Sequence, residues 1–361
     1  MNTGRIILDL PPTEDNNRNS EGAFIHLRDG KLLFAWSRYG AGGRSDWAAA
    51  DIYGMISADE GESFSQPFPI LTHRQNDAEN VMSVSFLRMN NGDIGMFYLV
   101  KRDTDCLCML TRSGDESKTW STPILCTKPQ GYFVVNNDRV IRLKSGRILI
   151  PAAHHDLYFI CDENGNRKMQ DIKPGTLEFY ASDDDGFTWQ VLAQGIALPS
   201  SPGITTGAQE PGVVELADGR LWCYIRNDSG RQYQCFSADG GSTWSQPQPS
   251  QFTAPTSPLS MKRLRDGRLL ALWNPIPNYN GRPTHVNGVW TGGRTPLVYA
   301  LSCDEGQVFS PPIAIETDEN SGFCYVAIHE TSSGILLAYC AGGPGDGINL
   351  TRLRIRKLPN L

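Results

Sequence analysis

Apolar residues along this chain fall in short runs, alternating with polar ones or continuous, rich in β-branched and aromatic types and cut by glycine and proline. The i, i+3, i+4, i+7 spacing of an amphipathic helix is almost missing, so the pattern predicts an all-β chain. One unit recurs: an apolar strand, a polar turn closing on glycine, then a second apolar strand. It reads FIHLRDGKLLFAW (24–36), SFLRMNNGDIGMFYL (85–99), VIRLKSGRILIPA (140–152), VVELADGRLWCYI (213–225), SMKRLRDGRLLALW (260–273) and VAIHETSSGILLAYC (326–340). The turn glycines, Gly30, Gly92, Gly146, Gly219, Gly267 and Gly334, stand where a tight hairpin needs a positive φ.

A second unit, Ser-x-Asp-x-Gly/Ser-x-x-Phe/Trp, follows five of the six hairpins: SADEGESF (57–64), SGDESKTW (113–120), SDDDGFTW (182–189), SADGGSTW (237–244) and SCDEGQVF (302–309). Its Asp and Ser can hydrogen-bond the loop backbone, and its aromatic residue can pack beneath, so the expected role is structural. Each box carries too few acids at ligand spacing for an EF-hand-type calcium loop. Six hairpins spaced by 62, 54, 73, 48 and 67 residues give units of about 60 residues. Separate sandwich domains would need ~100 residues each. The expected architecture is one six-bladed β-propeller over residues 1–361, six four-stranded units around an axis.

In such a ring, equivalent repeat positions converge on the axis. Counting back nine from each hairpin glycine gives Glu21, Ser83, Asn137, Glu210, Pro258 and Tyr325, flanked by Asn136, Asp138, Arg139 and Gln209. Most are polar although each opens a strand that turns apolar, as expected of a pocket rim. The repeat count turns Asn137 and Arg139 toward that pocket.

Composition narrows the function classes. At 40% hydrophobic and 20% charged residues the chain is neither disordered nor collagen-like. A formal net charge of −6 without a basic run argues against a nucleic-acid partner. No apolar stretch reaches the ~18 residues of a membrane span. The N-terminus lacks the pattern of a secretory signal, and nine scattered cysteines read as reduced core residues; together they point to a cytoplasmic setting. His154-His155 follows the third hairpin as a possible substrate contact, and no His/Cys cluster or Gly-rich phosphate loop calls for a metal or cofactor.

With its repeated Asp boxes the chain resembles the sialidase (neuraminidase) superfamily of glycoside hydrolases over roughly residues 18 to 357. The segment EPGVVELADGRLWCYIR (210–226) is similar to the family's Glu, V-V-E-L-x-D-G-R-L run and arginine sixteen residues on. Arg294 precedes LVYALSCDEG as the family's last arginine precedes its final box, GFCYVAI puts Tyr325 at the nucleophile's place, and Asp46 lies eleven residues before the first box. The resemblance implies a retaining exo-glycosidase acting on a terminal sialic acid or related acidic sugar. Sialidases are the tyrosine-nucleophile exception among glycosidases. Tyr325 would attack, Glu210 would take its proton, Asp46 would serve as acid and base, and Arg226 with Arg294 would hold the substrate carboxylate.

One departure stands out. The family's first arginine falls on Ser20, beside Glu21; Arg18 lies two residues earlier, and Arg38, Arg44 and Arg139 are other possible suppliers. A carboxylate at 21 places negative charge where the resembling family has positive. At ~4 Å and an effective dielectric near 20, two like charges repel by about 4 kcal/mol before screening. Glu21 is therefore expected to pair with Arg226 or Arg294, to bind a sugar hydroxyl, or to point into its blade. The competing readings are a glycosidase of the same machinery for a different sugar, and a non-catalytic carbohydrate-binding propeller.

Overall fold

In the computed structural model, residues 3–161, 167–201 and 203–361 are described. Strands dominate. Among the described residues helix is limited to two three-residue 3-10 turns, Arg74–Asn76 and Asn278–Asn280, and no helix is long and apolar enough to cross a membrane. Each of the six glycine turns joins two antiparallel strands, with glycine φ between 84° and 155°.

Four hairpins lie in four-stranded sheets. One holds Arg18–His26, Leu32–Tyr39, Ala50–Ser57 and Phe68–Leu71. The next two hold Gln209–Glu215, Leu221–Arg226, Arg231–Ser237 and Gln248–Thr253, then Ser260–Arg263, Leu269–Trp273, Leu297–Ser302 and Ile313–Glu316. The fourth runs Cys324–Glu330, Ile335–Cys340, Leu353–Leu358, and is completed on its outer edge by Arg5–Leu10. The Gly92 and Gly146 hairpins do not sit in separate sheets as expected. They share a nine-stranded one, because the short strand Tyr132–Val134 pairs antiparallel with Ile148–His155 and touches the neighbouring Asp105–Ser113 through a single parallel bridge, Tyr132↔Cys106. Two small hairpins, Leu157–Cys161 with Arg167–Ile172 and His285–Val286 with Val289–Trp290, stand outside these sheets.

Apolar faces of consecutive units pack on one another. Leu33 and Ala35 meet Val84 and Met96; Phe97 meets Phe133; Phe179 meets Cys223; Trp222 meets Met261; Tyr299 meets Leu337. The last cluster returns to the start, joining Leu336 and Ala338 to Phe34 and Trp36. A buried Leu or Phe stabilises by roughly 1.5–3 kcal/mol, and the described cysteines form no disulfide, so apolar burial holds these faces together.

The rim repeats a second seal. The backbone N–H two residues before each hairpin glycine is captured by a carboxylate of the next unit: Arg28 by Glu116, Asn90 by Asp185, Lys144 by Glu215, Ala217 by Glu305, Arg265 by Glu330 and Ser332 by Glu60. Four of these acids are the fourth residue of an Asp box, where the chain takes a left-handed turn: Glu60, Glu116, Asp185 and Glu305 have φ of 59–63°. The fourth box has Gly240 there and the sixth unit lacks a box, so strand residues Glu215 and Glu330 supply the carboxylate at those seams. Within every box the Asp accepts a hydrogen bond from the N–H four residues on at 2.9 Å, and the Ser hydroxyl accepts another at 2.7–2.9 Å. The box acids are thus engaged by their own loops, as the structural reading expected.

Candidate active site

At four inner strands the ladder slips by one residue, between Ser20 and Ala23, Met82 and Ser85, Gln209 and Gly212, and Cys324 and Ala327. Inside each bulge one non-glycine residue is left-handed: Glu21 (φ 59°), Ser83 (60°), Glu210 (44°) and Tyr325 (59°). These four stand nine residues before their hairpin glycine. A left-handed L-residue costs roughly 1–2 kcal/mol, and such strain collects at functional sites. Here it re-aims four polar side chains out of the ladder into one cavity. Gly22 follows Glu21 because a Cβ there would come within 2.4 Å of the Phe34 ring.

The repeat count misplaces three residues, Asn137, Arg139 and Pro258, none of which lines the cavity that collects the bulges. In the third unit the left-handed residue is Asp138 (φ 56°), one later than counted. Asn137 is consequently turned away from the cavity; its amide donates to the carbonyls of Gly22 (2.9 Å) and Tyr325 (3.2 Å), tying two bulges together. Arg139 also misses the site. It reaches the Tyr224 hydroxyl and the Leu259 carbonyl and lines a different cavity, of about 730 Å³. Most cations there are already paired, Arg88 with Glu116, Arg142 with Asp185 and Arg263 with Glu305.

The cavity that collects the bulges measures about 280 Å³. Glu21, Ser83, Glu210 and Tyr325 line it together with Asp46, Arg226, Arg294, Asn136, Gln209 and His155. Tyr325 donates its hydroxyl hydrogen to Glu210 Oε1 at 2.9 Å. Arg226 Nη1 lies 2.5 Å from Glu210 Oε2 and donates to the Tyr325 hydroxyl at 3.2 Å. Burial and the Glu210 carboxylate push the Tyr325 phenol well above its ordinary value, while Arg226 and Arg294 pull the other way. The phenol is therefore protonated in the free protein, and its proton points at a base. Arg294 packs over the rings of Trp290 and Tyr325, with Nη1 3.1 Å from Cys324 Sγ and Nη2 3.1 Å from the Thr256 carbonyl. Its Nε, like that of Arg226, Asn136 Nδ2 and Gln209 Oε1, has no hydrogen-bond partner among the described residues. A site left this unsaturated is built for a polar ligand or water.

Two further acids on the wall, Glu21 and Asp46, are held from behind by one arginine. Arg18, fully buried in its strand, donates Nη1 to Asp46 Oδ1 (2.6 Å), Nη2 to Glu21 Oε1 (3.0 Å) and Nε to Ser20 Oγ (3.0 Å). It is not part of the cavity wall. Glu21 pairs with neither Arg226 nor Arg294, contrary to one expectation; besides Arg18 it takes a short contact from the Ser83 hydroxyl. Desolvation pushes the Glu21 carboxyl above its ordinary value despite Arg18. For Asp46 the burial penalty is outweighed by Arg18 and Lys101, which hold it at about 2. Arg38 lies over the Tyr53 ring and Arg44 against Gly347, so neither supplies the missing arginine. Of the two histidines only His155 reaches the wall; His154 turns to Glu178.

Sequence reasoning missed Lys101. Buried at the end of its strand, it lines the cavity, donates to the Asp46 carbonyl at 3.0 Å and stands 5.3 and 5.4 Å from the Trp47 and Tyr132 ring centres. A lysine at the polar end of an otherwise apolar run, YLVKR, is the one sequence signal that pointed to it.

The model of the BNR repeat-like domain matches residues 30–337, most of the chain. The chain belongs to that family. Among curated proteins none matches this BNR repeat-like chain in sequence. Solved structures do match it in fold. A Dyadobacter fermentans protein of unknown function aligns with a TM-score of 0.71 at 17% identity, covering 99% of this chain and 100% of that one. The NanB sialidase of Streptococcus pneumoniae (K499G mutant) gives 0.70 at 14% identity, with 99% and 71% covered. The intramolecular trans-sialidase of Ruminococcus gnavus, in complex with oseltamivir carboxylate, gives 0.69 at 14%, with 99% and 97% covered. At such identities the likeness is one of fold: this all-β BNR chain is a divergent, sialidase-like member.

Proposed function

We propose that this chain is a single six-bladed propeller over residues 1–361 and a retaining exo-glycosidase of the sialidase type, removing a terminal sialic acid or a related acidic sugar. Six apolar seams and six rim carboxylates at equivalent positions support the blade count, the nine-stranded sheet dividing at its single parallel bridge. The observation that carries the function is the Tyr325–Glu210–Arg226 cluster within one cavity. Tyr325 oxygen attacks the anomeric carbon as its proton passes to Glu210, and Arg226 steadies the charge that develops on the phenol oxygen. The tertiary anomeric carbon of a sialoside carries a carboxylate that would repel an anionic nucleophile, whereas a neutral phenol avoids this. Arg226 and Arg294 are the cations placed to hold that carboxylate. Asp46 and Glu21, which share Arg18, are the groups available to protonate the leaving oxygen.

Glu21 also favours a second reading, the same machinery turned to a different sugar, because it puts a carboxylate rather than a third arginine at the cavity wall. The test is a panel of aryl glycosides, sialosides included, with the wild type and Glu21→Ala. Efficient sialoside cleavage by the wild type that the substitution does not improve supports the first reading. Cleavage of another glycoside supports the second. Saturable sugar binding without any cleavage makes this a binding propeller.

A further inference from the structure

Two carboxylates on one guanidinium raise the question of which holds a proton. Arg18 bridges Glu21 (Nη2, 3.0 Å) and Asp46 (Nη1, 2.6 Å), and both acids line the cavity. With both ionised the trio carries a net negative charge, which Lys101 offsets on the Asp46 side; two like carboxylates sharing a site titrate apart. Their surroundings differ. The Asp46 side chain is 52% exposed on a loop, has the shorter ion pair and lies by the Lys101 ammonium. Glu21 is only 4% exposed, fixed on the left-handed bulge, and its second oxygen faces the Ser83 hydroxyl. A hydroxyl donates to a carboxylate and accepts from a carboxylic acid, so it suits either state of Glu21. The other ionisable groups that feel Glu21 are Tyr39 on the neighbouring strand, Glu210 across the cavity, and the Cys106 and Cys340 thiols. Glu210 adds to the case for a neutral Glu21.

Resting on the glycosidase reading above, we propose that Glu21 is a further catalytic residue, the proton donor to the leaving oxygen, and that Asp46 stays ionised as the partner that positions Arg18. In the first step the C–O bond to the leaving group breaks, its electron pair stays on that oxygen, and the Glu21 proton joins it to release an alcohol. Tyr325 oxygen bonds to the anomeric carbon while its own proton goes to Glu210. In the second step Glu21, now a carboxylate, takes a proton from water as the water oxygen bonds to the anomeric carbon, and Tyr325 leaves with the proton held by Glu210. The directions of the carboxyl shifts agree: Glu21 is moved up by burial, and Arg18 and Lys101 hold Asp46 at about 2.

Two measurements test this. Infrared titration of the ligand-free protein follows the protonated-carboxyl band as pH rises above the ordinary Glu range. The expected band is lost in Glu21→Gln. In Asp46→Asn it survives with its midpoint moved down, because a neighbouring negative charge is gone and Arg18 is left to Glu21. Leaving-group dependence is the second readout. Glu21→Gln is expected to lower kcat by about 10²–10⁴ on alkyl glycosides and by less than about tenfold on a dinitrophenyl glycoside, which needs no acid. A band lost in Asp46→Asn and kept in Glu21→Gln overturns the proposal, as does an equal loss on both substrates in Glu21→Gln. A wild type that cleaves no substrate removes the glycosidase reading, and with it the catalytic role of Glu21; the band still decides which acid holds the proton.

Discussion

The Asp-box loops and the cavity of the left-handed bulges are built from the same repeat and treat charge in opposite ways. At the rim each Asp-box carboxylate is surrounded by short hydrogen bonds from its own loop, and the box Ser hydroxyl is used twice. Those bonds hold Asp184 and Asp239 at about 2. At the cavity, four left-handed side chains leave the ladder, Glu21 is pushed up by burial, and Arg226, Arg294, Asn136 and Gln209 keep unpartnered polar atoms. Acids saturated by their own loop lock a scaffold; unpartnered donors and acceptors around a cavity leave it open to a polar ligand. The difference locates the site without reference to any relative.

Tyr325→Phe should lower kcat by about 10³ or more on whatever glycoside the wild type cleaves, with little change in melting temperature. A rate within tenfold of the wild type would strip the cavity of its claimed role. Ser237→Ala probes the rim instead. It leaves the Gly241 N–H without its acceptor and Asp239 short of one donor, an expected loss of about 1–2 kcal/mol by denaturant unfolding with kcat unchanged.

Acid sharpens the contrast, because the two regions have opposite signs. Asp184 and Asp239 are depressed, so their contribution is present above the ordinary Asp value near 3.8 and is lost as pH falls toward about 2. Glu21 is raised, so its contribution is present below the ordinary Glu value of 4.5 and is lost as pH rises through its shifted value. Thermal unfolding across pH should therefore show the stability of Glu21→Gln gaining on the wild type as pH rises above 4.5. A constant difference would contradict the raised Glu21. The smallest effect is expected for Ser83→Gly: relief of about 1 kcal/mol of left-handed strain nearly offsets the lost bond to Glu21, leaving unfolding almost unchanged.

Much of this was legible in the sequence because it rests on local chemistry. Hairpin glycines and Asp boxes state their backbone geometry in one or two residues, and a fixed count from them reaches Glu21, Ser83, Glu210 and Tyr325. The same count fails at Asn137 because in the third unit the left-handed residue, Asp138, lies in a turn outside any strand, where no ladder fixes its distance from the hairpin glycine. It fails for Arg139 because a long side chain chooses its partner, here Tyr224 of the next unit. Arg18 and Lys101 were hardest to place, since their surroundings come from strands and loops distant in sequence. The clasping carboxylates of the rim went unread for the same reason: each joins two neighbouring units, and in two seams the acid shifts from box to strand.

The central claim is that Tyr325, with Glu210 as its base, attacks the anomeric carbon. It is tested most directly by quenching the wild type with an activated, fluorinated sialosyl donor that slows release of the enzyme-bound sugar, then mapping the attached sugar by peptide mass spectrometry. One sugar is expected on the peptide bearing Tyr325, absent in Tyr325→Phe and much slower to form in Glu210→Gln. An unmodified Tyr325, or a label on Glu210, Glu21 or Asp46, would contradict it.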